Sequence, residues 1–98
     1  MQIKTNERAK KNYEKFYSAN IDSQIKSVKI ANHGTMITLI DGESYIFYPY
    51  TDEDLNDRNK FNYTVKRGDQ IIKPSNSDTL LLITSKGNLK YTFKKFNY

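Results

Sequence analysis

The sequence predicts a mainly β fold of the α+β kind: an N-terminal helix, then about six or seven short antiparallel strands forming a small barrel or bent sheet. Three observations carry this. Apolar residues recur at helical spacing once, over residues 5–19. From Gln24 onward the period changes to two. Turn-forming Gly, Asn, Asp and Pro then arrive every eight to twelve residues, the rhythm of small β barrels and sandwiches. At 98 residues the chain is expected to be a single domain, 1–98, with the helix over 5–19 and a β-rich unit over 24–96.

The helix rests on Ala9, Tyr13, Phe16 and Tyr17, whose spacing places them on one face with Lys and Arg opposite. Thr5 is expected to cap its start, Glu7 and Lys11 form an i,i+4 pair, and Asn20 stops it. The stripe is narrow, so the helix is expected to cover an open end or one face of the sheet. Ile25, Val28 and Ile30 mark a strand over 24–31, followed by a turn at Asn32-His33-Gly34. Residues 35–40 form a strand with apolar groups on both faces. Asp41-Gly42 predicts a two-residue type I′ hairpin, which needs positive φ at both positions. The partner strand is 44–48, ended by Pro49, which lacks a backbone donor.

Residues 51–60 are polar and acidic, a loop or short helical turn. Phe61, Tyr63 and Val65 alternate with Asn62 and Thr64, which predicts a half-buried strand. A short strand over 70–73 and a loop over 74–78 precede an apolar strand over 79–84, expected to be buried on both faces. Residues 85–88 turn the chain into a last strand in which Leu89, Tyr91 and Phe93 alternate with Lys90, Thr92 and Lys94.

Arg67-Gly68-Asp69 sits between two of these segments. Gly68 supplies the positive φ of a sharp turn, and the Asp69 carboxylate is placed to accept amides of the same turn. Lys66 and Arg67 then point outward. The tripeptide therefore reads as a turn and not as an adhesion signal.

Several chemistries lack their residues. There is no cysteine, hence no disulfide, thiolate metal site or thiol nucleophile. His33 is the only histidine, so neither a His pair for a metal nor a catalytic constellation is present. Asp52, Glu53, Asp54 and Asp57 lack the spacing of a calcium loop and read as a solvated acidic segment. The four glycines lie singly in turns, without a phosphate-binding loop. No metal, cofactor or catalytic residue is assigned, and the chain is expected not to be an enzyme. The net charge of +5 comes from 16 basic and 11 acidic residues dispersed along the chain, five of the basic ones between Lys4 and Lys15. It permits an anionic partner without requiring one.

Two resemblances add to this reading. Val65-x-x-Gly68-Asp69-x-Ile71-x-Lys73, after the hairpin Gly34-x-x-Ile37-x-Leu39-x-x-Gly42-x-x-Tyr45, resembles the β-domain of lysostaphin-type zinc metallopeptidases over residues 32–73. The likeness implies the barrel alone. That family's zinc-binding histidines have no counterpart here, where the corresponding region reads Phe47-Tyr48-Pro49-Tyr50. Residues 61–84, with the Gly68-Asp69 turn and Asn76-Ser77-Asp78-Thr79, resemble small uncharacterised bacterial envelope proteins of the lipoprotein kind. This implies an exported parent, its leader removed, placed in the cell envelope or periplasm, with the cytoplasm left open. No apolar run is long enough to span a membrane.

The favoured function is a non-enzymatic binding or structural module with a protein or cell-wall partner. Tyr45, Tyr48, Tyr50 and Tyr63 would supply contact area at low entropic cost, flanked by Lys66 and Arg67. The competing reading of the tyrosines is that they are core. The alternative function is a single-stranded nucleic-acid-binding small β-barrel, combining aromatic stacking with basic side chains. Its helix followed by strands also resembles the Sm-like RNA-binding architecture at fold level. Edge strands of an all-β chain also allow a homodimer.

Overall fold

The computed structural model describes residues 2–31 and 34–95, with side chains described for 8–30 and 34–95. The expectations for the Thr5 cap, the Glu7–Lys11 pair and the His33 turn involve side chains outside these ranges. Helix α1 spans Gln2–Ser18, so Thr5 lies inside it. Six strands follow: β1 Ile21–Ala31, β2 Gly34–Leu39, β3 Ser44–Phe47, β4 Gln70–Lys73, β5 Thr79–Thr84 and β6 Gly87–Thr92. Two single-turn helices, α2 Glu53–Asn56 and α3 Phe61–Thr64, lie between β3 and β4.

All strand pairings are antiparallel, in the order β3-β2-β1-β4-β5-β6. β1 starts three residues before the expected Gln24 and serves two neighbours in succession. Its first residues pair with β4 (Ile21↔Lys73 to Gln24↔Gln70), its later ones with β2 (Ile25↔Leu39 to Ala31↔Gly34). A register shift between Ile25 and Ser27 marks the change, where an irregularity lets a strand bend. The bend turns the sheet back on itself, and beyond the strand ends Pro49 bridges Phe93. Tyr50 N donates to Thr92 O and Lys94 N to Tyr48 O, both at 2.9 Å. The result is a strongly bent sheet whose outer ends are stitched by one bridge, without strand-to-strand closure.

The core is aromatic at its centre. Phe16 brings the apolar face of α1 onto the sheet, stacking on Phe47 at 4.2 Å between centroids and meeting Phe93 edge-on at 4.7 Å. Phe61 fills the next position, edge-on to Phe47 and to Tyr91. Ile21, Ile25, Ile37, Leu39, Val65, Ile71, Leu80 and Leu82 complete the buried cluster. On β2 and β5 one face is buried and the other only half-buried, which corrects the expectation of full burial on both.

Two local expectations change. Residues 61–64 are helical and not a strand: Val65 N donates to Phe61 O at 3.0 Å, and Thr64 Oγ1 to Lys60 O at 2.8 Å. Alternation groups Tyr63 with Phe61 and Val65. A helical turn keeps Phe61 and Val65 together on the core side, four residues apart, and sends Tyr63 outward. At the β2–β3 hairpin only Gly42 takes a positive φ (94°), with Gly42 N bonded to Leu39 O and Leu39 N to Glu43 O. This is a three-residue loop with Gly at the left-handed position, not a type I′ turn.

Candidate binding groove

The turn after α3 is built as its sequence dictates. Gly68 has φ 94°, and Asp69 Oδ2 accepts the Lys66 amide at 2.8 Å. Gly68 N reaches Ile25 O and Ile25 N reaches Asp69 O, each at 2.8 Å, so the turn is clamped to the bend of β1. Facing it, the β5–β6 hairpin is braced by Thr84 Oγ1, which donates to Gly87 O and accepts from the Lys86 amide. Tyr91 of β6 anchors the segment before α3 by donating its hydroxyl to Asn59 O at 2.6 Å, and burial pushes that phenol above its ordinary pKa. Between the two braced segments lies a groove of about 320 Å³. Tyr63, Lys66 and Asp69 line one side; Ser85, Lys86 and Asn88 line the other.

Of the six residues singled out in the sequence, the fold brings Tyr63 and Lys66 to this groove. Tyr63 stands at its wall with 81% of its surface exposed. Arg67 is exposed on the adjoining turn. The other tyrosines lie elsewhere. Tyr45 is half-buried under α1, 5.6 Å from the Phe16 ring and 5.0 Å below Lys15 Nζ. Burial, then Glu43 and Asp41, push its phenol up. Tyr48 is half-buried with Lys94 Nζ 5.9 Å over its ring. Tyr50 is 48% exposed beside the Pro49–Phe93 bridge. The acidic segment folds onto itself: Asp52 caps α2 by accepting the Asp54 and Leu55 amides, and Glu53 pairs with Arg58 at 3.1 Å. Among the described residues no group of three or more His, Asp or Glu gathers to hold a metal, and no helix is long and apolar enough to cross a membrane.

Comparison with protein-family models, curated proteins and solved structures finds no match.

Two polar residues escaped the sequence reading. Asn56 is buried, accepts the Asp52 amide at 2.9 Å and donates to Lys90 O at 3.0 Å. Lys73 is fully buried, its ammonium donating to Tyr17 O at 2.7 Å, Pro74 O at 2.8 Å and Ser77 O at 3.4 Å. Nothing in local sequence marks either one. Both bond to carbonyls far along the chain, and neither lines the groove.

Proposed function

We propose that this chain is a non-enzymatic binding module and that the groove between the α3–β4 turn and the β5–β6 hairpin is its ligand site. One observation carries the reading: a large aromatic side chain, Tyr63, is held almost fully in solvent at the wall of a cleft made of two internally braced turns. An exposed aromatic on a rigid support offers contact area with little ordering cost. Lys66, Lys86, Asn88 and Ser85 supply polar contacts around it. The likeness to exported envelope proteins supports a setting in the cell envelope or periplasm, with the cytoplasm left open. Three carbonyls of the outer strands are bonded within the chain, Ser44 O to Lys15, Lys90 O to Asn56 and Thr92 O to Tyr50, which weighs against an edge-paired homodimer.

Amide shift mapping tests the site. The ¹⁵N-labelled protein is titrated with an oligothymidylate, a chitooligosaccharide and an acidic peptide. The expected result is that one probe shifts amides of residues 59–69 and 84–89 and that Tyr63→Ala abolishes the response. Shifts confined to other surfaces, or none with any probe, would overturn the reading.

A further inference from the structure

The fold concentrates the charge that the sequence disperses. The two segments that build the groove, 59–69 and 84–89, contain four basic residues (Lys60, Lys66, Arg67 and Lys86) and one acidic residue, Asp69. The remainder holds twelve basic and ten acidic residues, so three of the five net positive charges belong to these two segments. Asp69 is already engaged, its carboxylate accepting the Lys66 amide inside the turn. The groove thus offers the Lys66 and Lys86 ammonium groups beside the exposed ring of Tyr63.

We infer that this groove binds single-stranded nucleic acid, with an unpaired base stacked on Tyr63 and the adjoining phosphates held by Lys66 and Lys86. The inference rests on the groove being the ligand site. A cationic cleft with one standing aromatic fits a polymer that alternates flat π-faces with negative charge, and an unpaired strand is such a polymer. A neutral glycan would leave the charge unanswered, and an acidic peptide would not call for the stacking face. Duplex DNA hides its bases in the stack and presents none to Tyr63.

Fluorescence anisotropy with labelled dT12 at low and moderate salt tests it, with a dA12·dT12 duplex and inorganic polyphosphate as competitors. The expected result is binding that weakens steeply with salt, as phosphate contacts require. Tyr63→Ala is expected to weaken binding about tenfold while Tyr63→Phe retains it, the range for loss of one stacked base. Lys66→Gln with Lys86→Gln is expected to flatten the salt dependence. These side chains are exposed, and thermal melts at the native temperature would verify that the variants fold. Absence of dT12 binding at low salt would overturn the inference. So would equal competition by polyphosphate together with indifference to Tyr63→Ala, which would reduce the effect to bulk charge. If dT12 fails while the chitooligosaccharide or acidic peptide shifts the groove amides, the ligand class is wrong and the groove stands. If no probe moves those amides, both fall.

Discussion

Lys73 is a cation placed where a small β protein would ordinarily put an aliphatic side chain. Its hydrogen-bond acceptors are three carbonyls, one of them, Tyr17 O, in the last turn of α1, where the helix dipole favours positive charge. The Phe16 ring lies 5.5 Å from the same ammonium. Burial nevertheless pushes its pKa from 10.5 down to about 8. The sign of the consequence follows from proton counts. Above about pH 8 the native lysine is losing its proton while the unfolded chain keeps one until about pH 10.5, so stability rises with pH through that window. Tyr13, Tyr45 and Tyr91 act oppositely. Burial is the leading cause that raises each of them above 10, so above pH 10 the native state holds protons that the unfolded state has released, and stability falls. Urea denaturation is expected to show stability increasing by about 2 kcal/mol between pH 7 and 9.5, then declining, with Lys73→Met removing the rise. A flat profile in the native protein would show that Lys73 keeps an ordinary pKa. Neither Lys73 nor Tyr91 was legible as a polar anchor in the sequence. Lys73 ends a four-residue strand, and its helix-terminal partner is 56 residues away.

Among the elements, the last strand was legible because its alternation is the direct imprint of one buried face, with Tyr91 and Phe93 inward between Lys90, Thr92 and Lys94. α3 was not. Over five residues the pattern apolar-polar-apolar-polar-apolar suits a half-buried strand, and equally a helical turn that buries its first and fifth positions and exposes its third. Only the burial of Phe61 and Val65 beside an exposed Tyr63 separates the two. The groove inherited the ambiguity: Tyr63 could be named as a contact residue, but its partner across the cleft, the β5–β6 turn, is a tertiary fact. Gly34 is the element-scale position least able to change. It takes φ 122°, and a Cβ there would stand 2.5 Å from Phe47 O, against backbone that cannot swing aside. Gly34→Ala is therefore expected to destabilise by about 2 kcal/mol or more, read as a lowered urea midpoint with unchanged slope. Gly42→Ala, whose added Cβ would meet no atom within 4 Å beyond its chain neighbours, is expected to show the smaller cost of backbone strain alone. Equal losses at the two positions would refute the close-approach argument at Gly34.

For the whole molecule the central problem is what to do with the outer strands of a bent sheet that does not close. Unpaired strand edges invite pairing with other chains, and proteins suppress this by covering them. Here both sides are covered by different means. On the β3 side, Lys15 of α1 donates to Ser44 O at 2.9 Å. On the β6 side, Asn56 donates to Lys90 O and Tyr50 N to Thr92 O. The sequence shows that edges must exist but not what satisfies them, because each cover comes from a distant, irregular part of the chain. Asn56 is the more consequential because it is buried and also holds the Asp52 amide that starts α2. Asn56→Ala leaves that amide and the Lys90 carbonyl without a partner, which is expected to cost about 2 kcal/mol and to free the β6 edge. Sedimentation equilibrium at about 100 µM is accordingly expected to give a monomer for the native chain and a shift toward dimer or higher species for Asn56→Ala, below the temperature at which the variant unfolds. Lys15→Ala, losing one exposed bond on the β3 side, is expected to leave the mass unchanged. A native dimer indifferent to Asn56→Ala would show that self-association uses a surface other than the β6 edge.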